Sequence, residues 1–257
     1  VMKALITVNQ GNENINTLLQ LETQFPKNNV YFSQLMLSIA RFYQLNNNFE
    51  NAKNYYEKYL ILEDKFNTHI YGEVAQMHLY FDKPIILANL HNNHHYRGIK
   101  FAKAFILDQK YRELNNDEER ESFYDLKYHY KKNLYEELQN HTLKDPFLYF
   151  YLAELSVEIE AENLAKTLQY YRYILEISPN FIYADAVIYN VGYFSFEVNT
   201  NQRNLARIEN IELAMNWPDS LRFTENDLQE TINAYEKIYH NFPNSEYFSE
   251  AVCRLGI

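Results

Sequence analysis

Three prolines punctuate the chain in the same way, and that recurrence limits its folding more than any other feature. Pro26, Pro179 and Pro243 each stand in a short turn: Phe25-Pro26-Lys27-Asn28, Ser178-Pro179-Asn180-Phe181 and Phe242-Pro243-Asn244-Ser245. Proline has no N–H and a fixed φ, so each one closes a helix and lets another begin. After two of them the chain reaches a glycine at the same distance, Gly192 and Gly256, thirteen residues on (192 − 179 and 256 − 243). A repeated turn-and-helix pattern is the mark of stacked supersecondary units, none of which can cover its own apolar face.

Between the turns, apolar residues recur at spacings of three and four. Leu35, Ile39, Phe42 and Tyr43 are one such set, and Ala52, Tyr55, Tyr56, Tyr59 and Leu60 are another. That is helical periodicity, not the alternation of a strand. Asparagine supplies further punctuation, at Asn12 and Asn14, Asn46 to Asn48, Asn92 and Asn93, Asn115 and Asn116, and Asn199 and Asn201. Because Asn caps helices and tolerates left-handed geometry, these clusters read as turns. Only 5 Gly and 6 Pro occur in 257 residues, too few for the loops of an all-β or phosphate-cradling α/β fold. The expected class is all-α.

At 47% hydrophobic and 23% charged the chain can bury a substantial core and is too apolar to remain disordered. The formal net charge of −10 repels nucleic-acid backbones and anionic lipid surfaces, so neither is expected as a partner. The single cysteine, Cys253, excludes an internal disulfide and a Cys-based zinc site. No apolar run reaches the roughly 18 residues of a membrane span, and Pro84 to Leu90 is far too short. The chain opens with Val1 and shows no charged segment leading into an apolar one, so any targeting signal is expected outside this sequence.

Candidate chemistry is sparse. His91, His94 and His95 have a spacing that can bring two imidazoles to one metal, but they flank Asn92-Asn93 with no HExxH glutamate, so they read as solvated turn histidines. Glu118, Glu119, Glu121 and Asp125 form a carboxylate run that a helix N-terminus favours without any catalytic role. Cys253, beside Ala251 and Val252, reads as a small buried or groove residue and not as a nucleophile. No phosphate-loop, nucleophile-elbow or dinucleotide-binding string is present, so no catalytic residue, metal or cofactor is expected. Trp217, in Asn216-Trp217-Pro218-Asp219-Ser220, either pins its loop to the helices or is an exposed contact residue.

Laid over one another, the repeated segments resemble the tetratricopeptide repeat, whose signature runs from a small residue in a first helix to an alanine, an aromatic and a closing proline in the second. The segment Ser33 to Asp64 carries Ala40, Tyr43, Ala52 and Tyr56 on those positions, though it lacks the proline. A second copy has Leu152-Ala153, then Tyr171, Ile174 and Pro179, with about two extra residues between its helices and Thr167 where alanine is usual. A third pairs Val191-Gly192 with Tyr235, Ile238 and Pro243 across an insertion at 199–226. Tyr55-Tyr56 and Tyr170-Tyr171 fall on the family's packing positions. The resemblance implies one continuous right-handed α-solenoid of antiparallel hairpins over 1–257, part of a longer chain: N-terminal repeats at 1–64, degenerate helical repeats at 65–145 and C-terminal repeats at 146–257.

In this family ligands lie along the face made by the first helices of successive hairpins. Carried over, that face comprises Gln34, Leu37, Arg41 and Gln44; Phe147, Phe150, Glu154 and Val157; Ala186, Tyr189, Tyr193 and Phe196; then Glu250 and Cys253. Its aromatic character implies an amphipathic helix or an extended hydrophobic protein segment as ligand, unless these side chains simply touch neighbouring helices. The expected function is a non-catalytic scaffold for other proteins. Phe-Pro-Asn-Ser-Glu-Tyr followed by Ala-Val-Cys-Arg-Leu-Gly is similar to repeats of bacterial cell-envelope proteins, which implies an assembly role in the periplasm or envelope. A regulatory or sensory protein with its effector domain elsewhere, and a cytoplasmic location, are the alternatives.

Overall fold

A computed structural model describes residues 15–29, 31–63, 67–81, 94–209 and 225–257. Among them every regular element is an α-helix and none is a strand, so the class is all-α. In chain order the helices are α1 (Ile15–Gln24), α2 (Phe32–Leu45), α3 (Phe49–Leu62), α4 (Thr68–Phe81), α5 (His94–Glu113), α6 (Asp117–Gln139), α7 (Pro146–Ile159), α8 (Leu164–Ile177), α9 (Ala184–Glu209), α10 (Glu225–Asn241) and α11 (Phe248–Leu255). No described helix is long and apolar enough to cross a membrane. The chain packs as two compact units, Val1–Lys127 and Tyr128–Ile257, which differ from the divisions at 64 and 145 drawn from the sequence. Asn115-Asn116 separate α5 from α6 and Asp145 caps α7, but the division between units falls inside α6.

Among the described residues the turns form where the sequence places them, with one exception; Asn12, Asn14, Asn92 and Asn93 lie outside the described residues. Between α2 and α3, Asn47 takes a left-handed φ of 56° and Asn48 caps α3 by accepting from the Asn51 N–H. Asn can do both at little cost, which is why three in a row make a tight helix-to-helix turn. Asn116 Oδ1 accepts from the Glu118 N–H at 2.9 Å, so the acidic first turn of α6 is a capped, dipole-matched helix start. Asp145 caps α7 ahead of Pro146, and Gly256 ends α11 with φ 73°. The exception is Asn199 and Asn201, expected to open an insertion but lying within α9, which runs on to Glu209. Neither glycine nor proline interrupts the chain between Tyr193 and Glu209, and asparagine alone costs a helix only a few tenths of a kcal/mol. Residues 210–224, including Trp217, lie outside the described residues.

In the first unit α2 packs on α3 and on α1, and α4 packs on α5. Its core includes Leu35, Met36, Ile39, Ala40, Ala52, Tyr56, Leu60, Tyr71, Val74 and Ile99. In the second unit α7, α8, α9, α10 and α11 pack each on the next, around Ala153, Leu168, Tyr171, Val187, Val191, Tyr235 and Ala251. Facing helices approach closely at small residues. A Cβ on Gly98 would lie 2.5 Å from the Tyr71 ring, and one on Gly192 would lie 2.9 Å from the Tyr235 ring. These two glycines are fixed by a neighbouring aromatic and not by backbone conformation.

Candidate protein-binding face

One register recurs in three hairpins. A small residue on the first helix is matched by a small or short residue on the second: Ala40 by Ala52, Ala153 by Thr167, Gly192 by Thr231. All six are core or near-core positions, and both threonine hydroxyls are hydrogen-bonded, Thr167 to Ser156 and Thr231 to Gly192. Thr167 and Ser156 join their hydroxyls at 2.8 Å, and Thr231 donates to the Gly192 carbonyl at 3.2 Å, so a threonine replaces alanine without leaving a buried hydroxyl unmet. Four residues beyond each short residue stands a tyrosine, Tyr56, Tyr171 or Tyr235, 0%, 1% and 2% exposed. Its ring packs between helices while its hydroxyl points to the first-helix side.

In the first unit that hydroxyl belongs to a structural lock. Tyr56 Oη lies 2.6 Å from Gln44 Oε1 and 2.8 Å from Glu73 Oε2, and its one proton serves one acceptor at a time. Arg41 grips the same Glu73 through Nε at 3.0 Å and Nη2 at 2.7 Å, and His69 Nε2 lies 2.9 Å from Glu73 Oε1. Burial alone would raise the Glu73 carboxyl, but hydrogen bonds from Arg41 and Tyr56 outweigh it and hold the group below the usual carboxylate range. Arg41, expected to face a partner, is thus spent tying α2 to α4. Leu37 is a correction of the same kind: at 6% exposure it belongs to the core, because its face of α2 is covered by neighbouring helices.

The second unit gathers more of the expected face. Glu154 on α7 accepts from Tyr171 Oη at 2.6 Å. Burial raises its carboxyl above the ordinary value against the opposing pull of Tyr171 and Lys131. Tyr189 and Tyr193, one turn apart on α9, stand beside α11: Tyr189 stacks on Tyr247 at 4.8 Å between ring centroids, and Tyr193 lies 5.4 Å from the Arg254 guanidinium. Tyr247 also senses the charges of Glu154 and Asp185, and burial pushes its hydroxyl up to about 12. Tyr189 and Tyr193 therefore share one half-buried, tyrosine-lined surface with Tyr247, while Glu154 is tied to Tyr171. Phe147 and Phe150 pack on Phe181 at 4.9 and 5.8 Å, with Phe150 also stacked on Tyr183. Phe196 is half-buried farther along α9, and Val157 is exposed.

Sequence reasoning missed Arg254 and read Tyr235 only as a packing residue. Arg254 lies over the rings of both Tyr193 and Tyr235, at 5.4 and 5.9 Å, and meets Glu250 one turn back on α11. The Glu250/Arg254 spacing of four was the available signal. A second bidentate pair, Arg172 with Glu230, ties α8 to α10, with Ser195 donating to the same carboxylate at 2.8 Å.

The remaining candidates settle differently. Cys253 is exposed, not buried. His94 and His95 open α5 instead of lying in a turn, and His95 is buried with Nδ1 2.7 Å from Tyr71 Oη. His91 lies outside the described residues. Among the described residues no three His, Cys, Asp or Glu side chains are grouped to hold a metal ion. No family model matches the chain, and no curated protein matches it.

Proposed function

We propose that the chain is a tetratricopeptide-like repeat scaffold, each unit a stretch of right-handed solenoid, which holds a protein partner and catalyses no reaction. What supports the reading is the register shared by Ala40/Ala52/Tyr56, Ala153/Thr167/Tyr171 and Gly192/Thr231/Tyr235, the same small–small–aromatic unit recurring in three hairpins. The partner segment is an amphipathic helix or an extended apolar strand lying over Tyr189 and Tyr193, where aromatic rings supply contact area at low conformational cost. The setting we favour is assembly in the bacterial cell envelope, on the similarity of the segment around Pro243.

The test is co-purification of partners from envelope extracts with the intact chain and with Tyr193→Ala. Replacing a buried aromatic anchor costs about 2 kcal/mol of binding, or roughly thirtyfold in Kd, with the helical spectrum retained. Unchanged affinity per folded molecule, with stability lowered instead, would mean that Tyr193 is an inter-helix wedge and remove this face from the account.

A further inference from the structure

Tyr235 differs from its two counterparts in one respect. The hydroxyls of Tyr56 and Tyr171 each meet an acceptor on the first-helix side, Gln44 and Glu73 for one and Glu154 for the other. Tyr235 Oη is equally buried and has no hydrogen-bond partner among the described residues. An unmet buried hydroxyl is costly, so the third hairpin is incomplete where the first two are satisfied.

Arg254 and Tyr189 flank the Tyr235 ring, each 5.9 Å from its centroid, and Glu250 and Tyr193 also act on the hydroxyl electrostatically. The Arg254 guanidinium reaches Glu250 through Nε at 2.9 Å and an Nη at 2.8 Å, and both contacts fall on the same oxygen, Oε1. A guanidinium has five donors arranged to meet two carboxylate oxygens, and this side-on contact to one oxygen leaves Nη1 outside the Glu250 pair, with the Tyr189 hydroxyl as the guanidinium's other polar neighbour. Glu250 is 52% exposed on its own helix, and such exposed pairs contribute little and exchange readily.

We propose that Tyr235 Oη and Arg254 form a subsite for the carboxylate of an acidic side chain on the partner segment, flanked by the rings of Tyr189 and Tyr193. The proposal rests on the scaffold reading and names the chemistry its partner must carry. The incoming carboxylate accepts from Tyr235 Oη with one oxygen and from Arg254 with the other, and Glu250 swings out to solvent. A neutral backbone carbonyl could satisfy the tyrosine, but it would not displace Glu250 from the guanidinium. Glu154 and Asp185 add negative charge felt at Tyr247, so the anion is placed by Arg254 and not by a broad positive field.

The side-chain Nε–H resonance of Arg254 in the full chain reports the site directly. Titration with sodium acetate against sodium chloride at matched ionic strength should give a saturable shift with acetate alone. Tyr235→Phe, which keeps the packed ring, should weaken acetate about fivefold, the effect of one hydrogen bond. Glu250→Gln, on an exposed position that does not threaten folding, should strengthen it severalfold by freeing the guanidinium. The peptide Ac-Phe-Glu-Leu-NH2 should bind at least tenfold more tightly than acetate, since its apolar flanks meet Tyr189 and Tyr193; equal affinities would overturn the assignment to a protein segment. Equal responses to chloride and acetate, or an acetate response unchanged in both Tyr235→Phe and Glu250→Gln, would overturn the subsite itself. Neither outcome depends on capturing a natural partner, so the scaffold reading can fail while the subsite stands, and the reverse.

Discussion

Gly98 and Gly72 offer a sharp test of how α4 and α5 pack, because the same substitution should act in opposite directions at the two. A methyl group on Gly98 would lie 2.5 and 2.6 Å from two carbons of the Tyr71 ring, about 1 Å inside normal carbon–carbon contact. Tyr71 cannot swing aside cheaply, since it is 1% exposed and its hydroxyl is held 2.7 Å from His95 Nδ1. Overpacking of this kind costs about 1–3 kcal/mol, and weakening the buried hydrogen bond adds about 1 kcal/mol. Against this, alanine returns about 1 kcal/mol of helix propensity. Gly98→Ala should therefore destabilise the first unit by about 2 kcal/mol. Gly72, in α4 of the same hairpin, has no atom within 4 Å of its would-be Cβ, so Gly72→Ala keeps only the propensity gain and should stabilise by up to about 1 kcal/mol. Urea unfolding followed by circular dichroism reads both as shifts of midpoint at constant slope. Shifts of the same sign at the two positions would refute the close approach of α5 to Tyr71.

The carboxyl groups give three further expectations. Glu73→Gln should cost about 2 kcal/mol at pH 7, because it dismantles charge-assisted bonds from Arg41 and leaves Tyr56 with a poorer acceptor. The folded Glu73 carboxyl lies below its unfolded value, so its contribution is present above the unfolded pKa and fades as pH falls through the folded one. The gap between wild type and variant in melts should therefore close below about pH 4, and a gap independent of pH would refute the ionic role. Glu154 has the opposite sign: its folded carboxyl is raised, so stability is fully present below the unfolded pKa and is lost as pH rises through the folded value. Glu154→Gln, which still accepts from Tyr171, should raise the melting temperature at pH 8 and leave it unchanged at pH 4. Glu230→Gln should loosen α10 from α8, seen as faster amide exchange in α10 without global unfolding.

Much of the fold is legible in the sequence because local rules decide it. Pro26, Pro179 and Pro243 break helices by covalent geometry, and Asn46 to Asn48 and Asn115-Asn116 occupy turns that few other residues make as easily. Spacings of three and four put Tyr56, Tyr171 and Tyr235 on buried faces. What local rules do not carry is pairing across helices. Arg41 and Leu37 share a face of α2 with Gln44, and nothing in their spacing says that Glu73, some thirty residues on, will occupy the arginine. Phe147 and Tyr193 look equivalent by register, yet Phe147 is claimed by Phe181 in the turn that follows α8, whereas Tyr193 stands beside Arg254. Asn199 and Asn201 remain helical because a turn needs more than one permissive residue type, and no glycine or proline supports them.

The central claim is that the tyrosine-lined side of α9 and α11 is where a protein partner lies. The most direct measurement places the photo-reactive residue p-benzoylphenylalanine at position 193 and, as a control in the first unit, at exposed Ile61 on α3. Irradiation in the native extract, followed by mass spectrometry of the adducts, reads which position touches another protein. The account predicts one discrete adduct at 193, absent at 61, whose cross-linked peptide carries an acidic residue among apolar ones. Adducts of equal yield at both positions, or none at 193 while the chain still co-purifies with its partner, would contradict it.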